Sequence, residues 1–190
     1  MPNRGTIYNA LGTTQYAQAT VASYPIVNPL FTGGYVFSDH QIPGSVTAYN
    51  HLALYNPIGS GKTVILAGVF VSSYTEGAVA GVDPLRGWLA TNISGGTLEA
   101  SSAIGKVRST MPNAVAQVYT ENPTATLGAA WFNSPATRST AASSTAFVHQ
   151  IPAAIPAGAI TLLPGEGTVI RSETGDTDQR WNISIAWSEL

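Results

Sequence analysis

Cysteine is absent from the 190-residue chain, which excludes disulfides, thiolate nucleophiles and cysteine-based zinc or iron–sulfur sites. Charge is nearly as scarce. Asp, Glu, Lys and Arg make up 9% of the residues, against about a quarter in an ordinary globular chain. Eight Lys and Arg are outnumbered by ten Asp and Glu, so no bulk positive field draws the chain to nucleic acid. Long apolar runs are missing too. The longest, Val64 to Val71, is strand length and far short of the roughly 18 residues a membrane span needs. Met1-Pro2-Asn3-Arg4-Gly5-Thr6 has no apolar run behind its charge, so no signal peptide and a soluble, cytoplasm-made protein are expected. Helical periodicity is nearly absent as well.

What fills the space left by charge is Ser, Thr, Asn, Gly and Ala, with 44% hydrophobic residues, 19 glycines and 12 prolines. This length buries a core without staples and sets an expectation of one domain. Residues 1–30 read differently from the rest. Tyr8, Tyr16 and Tyr24 recur among Thr, Gln, Asn and Ala, and Pro25 and Pro29 close the segment. The reading is an extended N-terminal arm whose tyrosines dock on a neighbour. The plainer alternative is a frayed terminus that contains tyrosine.

From about residue 35 the pattern is β throughout. Val46 to Tyr55 ends at the turn cluster Asn56-Pro57-Ile58-Gly59-Ser60-Gly61, and the apolar run Thr63 to Ser72 follows. The two are expected to pair as a hairpin. Further strands are expected at 87–91, 114–120, 127–132, 146–151, 159–163, 168–172 and 180–187. The last alternates most cleanly. Trp181, Ile183, Ile185 and Trp187 face one way, toward a core shared with Val64, Leu66 and Phe70. Asn182, Ser184, Ala186 and Ser188 face the other, wet or partner-facing side. Short turns are expected at 76–86 and a surface loop at 134–145. About nine short strands between Gly/Pro/Asn turns argue for an antiparallel β-sandwich or barrel over 31–190.

Candidate chemistry is thin. Gly59-Ser60-Gly61-Lys62-Thr63 looks like the end of a phosphate-binding loop, but that motif needs a glycine where Asn56 stands and a helix after the lysine. The β-branched residues after Lys62 continue as a strand, so the glycines serve a turn. His40, His51 and His149 lie in separate elements without metal-ligand spacing, and the nucleophile-elbow pattern Gly-x-Ser-x-Gly is missing. Glu173, Asp176 and Asp178 offer hard oxygen ligands at short spacing. The twelve-residue calcium loop is not met, and a polar turn near Arg171 and Arg180 explains the same residues. Trp88, Trp131, Trp181 and Trp187 fall inside expected strands, which favours core packing over a sugar platform. No catalytic residue, cofactor or metal is expected.

The stretch Leu52-Ala53-Leu54-Tyr55-Asn56-Pro57-Ile58-Gly59-Ser60-Gly61-Lys62-Thr63-Val64-Ile65-Leu66 resembles a hairpin common in small jelly-roll proteins of tailed bacteriophage particles. Leu163-Pro164-Gly165-Glu166-Gly167-Thr168-Val169, leading to Trp181-Asn182-Ile183-Ser184-Ile185-Ala186-Trp187-Ser188-Glu189, resembles the last two strands of such a domain. The resemblance implies an all-β jelly roll with an N-terminal arm and a virion location after assembly in the host cytoplasm. Its implied function is capsid cement or decoration, contacting the major capsid protein, with homotrimers as the expected assembly. A receptor- or carbohydrate-binding tail module is the alternative. Neither heptads nor collagen-like repeats of a fibre are present.

Overall fold

The computed structural model describes residues 5–8, 14–17, 34–43, 47–75, 85–133, 148–152, 154–155, 158–173 and 180–190. The strands are β1 (Gly5–Tyr8), β2 (Thr14–Ala17), β3 (Gly34–Pro43), β4 (Tyr49–Tyr55), β5 (Val64–Thr75) and β6 (Leu85–Ser94). They continue as β7 (Thr97–Leu98), β8 (Gly105–Lys106), β9 (Gln117–Thr120), β10 (Thr124–Asn133) and β11 (Val148–Pro152). β12 (Ala154–Ile155), β13 (Gly158–Ala159), β14 (Thr161–Leu162), β15 (Glu166–Ser172) and β16 (Arg180–Glu189) complete the set. Helical structure among the described residues is one 3-10 turn, Ser101–Ala103.

Two antiparallel sheets carry the domain. The first runs β10-β6-β15-β4-β9-β7; the second runs β11-β5-β16-β3-β8, with β14 also on β5. From β3 to β6 each strand changes sheet: β3 lies in the second, β4 in the first, β5 in the second, β6 in the first. β11, β15 and β16 alternate in the same way. The expected β4–β5 hairpin therefore does not form. β4 pairs with β15 and β9, whereas β5 pairs with β16, β11 and β14. Both strands must bury an apolar face. Residues 56–63 are long enough to carry the chain across the roughly 10 Å between packed sheets.

That crossing is fastened by Asn56, which is fully buried. Its backbone N–H donates to Glu166 O (2.9 Å), and Nδ2 donates to Lys62 O (2.8 Å) and Leu162 O (2.9 Å). Gly165 N returns a bond to Asn56 O at 2.7 Å. One side chain so ties the turn after β4 to the turn before β15.

Between the sheets lies one core. Leu52, Leu54, Leu85, Val118 and Ile170 of the first sheet meet Val64, Leu66, Val69, Trp181, Ile183, Ile185 and Trp187 of the second. The inward face expected of β16 is present, with its two tryptophans and two isoleucines buried. Two positions differ. Phe70 lies on the outer side of β5 at 37% exposure, because β5 carries an extra residue between Leu66 and Gly68, opposite Trp187 and Ala186, which shifts its alternation so that Val69 and Val71 point inward. Ser188 is buried rather than wet.

A second, smaller cluster sits on the opposite face of the first sheet. Ala53, Ala90, Ile93 and Val169 are buried there, with Tyr55, Tyr119, Ala125 and Leu127 packed against them. The backbone bends that frame it use the left-handed region at Asn92, Gly95, Gly96, Glu121 and Asn122. At Gly96 (φ 62°) a Cβ would stand 2.2 Å from Thr120 O, so only glycine fits.

β1 and β2 pair with each other, Thr6 opposite Tyr16 and Tyr8 opposite Thr14, and with neither large sheet. The N-terminal segment doubles back here instead of running extended throughout. The loop expected at 134–145 and most of the turns expected at 76–86 lie outside the described residues.

Candidate interaction surfaces

The outer face of the second sheet is assembled from β3, β16 and β5. Val36 stands opposite Ala186, which in turn stands opposite Gly68; Ser38 and Phe70 flank Ser184. Val36 (38%) and Phe70 (37%) are exposed apolar residues, while Asn182, Ser184 and Ala186 are half-buried. Asn182 Nδ2 donates to Ser72 Oγ at 3.3 Å, so the amide is held against the sheet. Small uncharged side chains along the central strand let another backbone approach without desolvating a charge. At the rim, His40 is exposed and donates its backbone N–H to Asp39 Oδ1 (2.8 Å). Burial raises the Asp39 pKa above its ordinary value; the His40 amide opposes this less strongly.

One end of the sandwich also presents aliphatic tips. Ile58 is 80% exposed on the turn after β4, and Leu163 and Leu190 are each 52% exposed. Leu190 and Thr63 exchange backbone bonds (2.9 and 3.1 Å), and Glu189 accepts from Val115 N, Ala116 N and Trp187 Nε1. These tips sit on fixed backbone.

A cavity of about 270 Å³ opens where β6, β10 and the β14–β15 turn meet. Its apolar walls include Leu89, Leu127 and Leu162, and its polar rim includes Thr91, Thr126 and Glu166. The ladder loosens at this point. Leu127 pairs with Ala90 but Ala130 pairs with Trp88, so β10 carries an extra residue.

Among the described residues, those with chemical potential do not converge on a reaction centre. His51 is fully buried, with Nε2 2.9 Å from Ser172 Oγ. Its Nδ1 has no partner, so the carboxylate that orients a catalytic histidine is missing from this pair. Burial drives the His51 pKa down to about 4. His40 lies on β3 and His149 on β11, in the other sheet. Among the described residues no group of His, Asp and Glu is placed to hold a metal ion. Glu173 pairs with Arg171 at 3.5 Å, and Asp176 and Asp178 lie outside the described residues.

After Lys62 the chain enters β5, not a helix, and Gly59 and Gly61 take positive φ (81° and 64°) in the turn. A phosphate cradle at a helix N-terminus therefore does not form. Trp181 and Trp187 are buried. Trp88 and Trp131 are half-buried, and Trp131 Nε1 donates to Thr168 Oγ1 at 2.9 Å. No tryptophan stands free on a rim. Of the tyrosines read as neighbour contacts, Tyr8 lies on β1 and Tyr16 on β2. Their side chains, and all of Tyr24, fall outside the described residues. The cavity and the clamp at Asn56 were not singled out from sequence, because both depend on which strands become neighbours. Compared with family models, curated proteins and solved structures, the chain matches none.

Proposed function

We propose that this chain is a structural protein of a tailed-bacteriophage particle, a cement or decoration protein that binds the major capsid protein and associates as a homotrimer. The observation that carries this reading is the outer face of the second sheet, whose central strand is uncharged and small-sided at Asn182, Ser184 and Ala186 and is flanked by exposed Val36 and Phe70. Apolar side chains amid neutral polar ones, on a chain with few charges, suit contact with another protein more than open water. The strand path supports the jelly-roll part of the reading. From β3 to β6, and again from β10 through β11 and β15 to β16, the strands alternate between the two sheets, as in double-sheet jelly rolls.

The tryptophans weigh against a sugar-binding tail module. A sugar platform needs an accessible aromatic ring, and Trp181 and Trp187 are buried while Trp88 and Trp131 are half-buried. The β1–β2 hairpin supports an arm that docks elsewhere. Two short strands joined to no other sheet are marginal in water by themselves, so packing on a neighbour is the natural source of their order. Electron cryomicroscopy of the intact particle tests the proposal. The expected map places the sandwich on the capsid lattice with Val36 and Phe70 at a subunit boundary. A map that places it at the tail tip, with that face toward solvent, overturns it.

A further inference from the structure

We propose that His51 is an acid-sensitive joint: on taking up a proton it releases the start of β4, the end of β15 and the turn between β9 and β10, while the rest of the sandwich stays paired. The joint is independent of the assembly reading above. It is built on the register of β4. Ile170 stands opposite Leu52 but Arg171 stands opposite Asn50, so β4 carries one extra residue, His51, at that point. The bulge lets the imidazole turn to the same side as Leu52, where it is fully buried. Nε2 lies 2.9 Å from Ser172 Oγ, the Tyr49 ring stands 5.1 Å away, and Nδ1 has no partner. A neutral ring fits this setting. An imidazolium carries two N–H donors; Ser172 can receive one, and nothing among the described residues receives the other. A charge held there without a partner favours any arrangement that lets water in.

What gives way is set by the residue before it. Asn50 N donates to Asn122 Oδ1 (3.1 Å), Asn122 N donates to Asn50 O (3.0 Å), and Asn50 Nδ2 donates to Pro123 O (2.7 Å). The turn so held is strained. Glu121 and Asn122 both take left-handed φ, 57° and 62°, a region that side chains such as glutamate rarely adopt. Asn50 Oδ1 also accepts Arg171 Nη1 at 3.0 Å. Outward movement of His51 shifts Asn50 with it, so one protonation loosens both the strained turn and the end of β15. The pairing of β5 with β16 runs through neither residue. The charged groups around the joint do not rescue the ring. Arg171 and Glu173 alternate with Ser172 onto the other side of the sheet, where they pair at 3.5 Å. Arg86 of β6 stands opposite Arg171. Glu121 on the turn and Asp39 on β3 lie within electrostatic reach of each other. Burial alone depresses the pKa of His51, so none of them offsets the cost.

The test is hydrogen exchange of the full chain, followed amide by amide at pH 7 and 4.5 and in subdenaturing urea. At pH 7 the amides of residues 50–52, 121–122 and 170–172 are expected to exchange faster than those of Leu66, Val69 and Ile185. Their exchange should also depend more weakly on urea, as for an opening that exposes little surface. At pH 4.5 their protection factors, corrected for intrinsic exchange, are expected to fall at least tenfold in the parent and less than threefold in His51→Gln. Equal acid loss in a folded His51→Gln chain would overturn the joint. Exchange of these amides only together with the core, at one rate and one urea dependence, would overturn it as well. The parent alone also decides. The ring shifts of His51 and the amide shifts of Asn50, Asn122 and Ser172 should titrate together. Flat amide shifts while the ring titrates, or a ring that takes up no proton before the whole domain unfolds, would refute the joint even if His51→Gln failed to fold.

Discussion

Burial of His51 with one ring nitrogen bonded to Ser172 and the other free links its protonation to folding. Its folded pKa is about 4, below the usual 6.5. Above pH 6.5 the imidazole is neutral in both folded and unfolded chains, and the fold keeps its full stability. Between 6.5 and 4 the unfolded chain takes up a proton that the folded chain refuses, so stability falls as pH falls. The loss levels off below pH 4 at about 3 kcal/mol. Asp39, whose pKa is raised, works in the opposite direction as the carboxylates titrate. Denaturant titrations at pH 7.5, 5.5 and 4.5 on the parent and on His51→Gln separate the two: the difference between the chains should shrink steadily with falling pH. A constant difference would show that His51 does not titrate with folding. A histidine amid strand residues is visible in the sequence, but its burial is not, because that depends on Ser172 arriving from a strand 121 positions away. Gly96 is similar. Its need for glycine arises from Thr120 O across the bend, and Gly96→Ala should lower stability by roughly 1–3 kcal/mol or more from backbone strain alone, measurable as a lowered melting temperature.

At the scale of elements, alternation was the signal that survived folding. β16 reads apolar–polar with little interruption, and Trp181, Ile183, Ile185 and Trp187 all reach the core. Ile185→Asp should unfold the domain. An unpaired charge at a fully buried site costs several kcal/mol, against a total stability of about 5–15. Circular dichroism of the variant checks this, and parental melting would refute the placement of the strand. β3 was not among the expected strands: Tyr35 and Phe37 point inward, but Asp39, His40 and an irregular register against β16 break the rhythm. The partners of β4 and β5 were not legible at all. A turn sequence such as 56–61 states that the chain reverses, but not whether the next strand joins the same sheet or the facing one. Burial decided that, through Asn56 and the two apolar faces. The same turn supports a negative expectation. Lys62→Ala should keep the fold, and neither chain should bind ATP in an equilibrium assay; ATP binding lost in the variant would require a phosphate site that the β5 geometry does not provide.

For the whole molecule, the proposed place on a phage particle raises the question of how a chain with so few charges would be held there. The sandwich has a core of its own between two sheets and needs no help from residues 1–30 to pair its strands. The β1–β2 hairpin pairs with no strand of either large sheet. Ordering its residues costs roughly 1–2 kcal/mol each in backbone entropy, and two strands of this length recover little of that alone. An arm of about 30 residues spans close to 100 Å when fully extended, at roughly 3.3 Å per residue. Pairing of Gly5–Tyr8 with Thr14–Ala17 shortens that reach, so contact with an adjacent subunit is favoured over a long traverse. Removal of residues 2–28 should then leave the melting temperature of the isolated sandwich within a few degrees of the parent. The same deletion should lower occupancy on particles and make the remaining attachment more sensitive to salt and dilution. Occupancy is measurable by quantitative gel analysis of purified particles mixed with each chain. If the shortened chain decorated particles as fully as the parent and resisted the same washes, the hairpin would have no part in attachment, and the sheet faces alone would have to carry it.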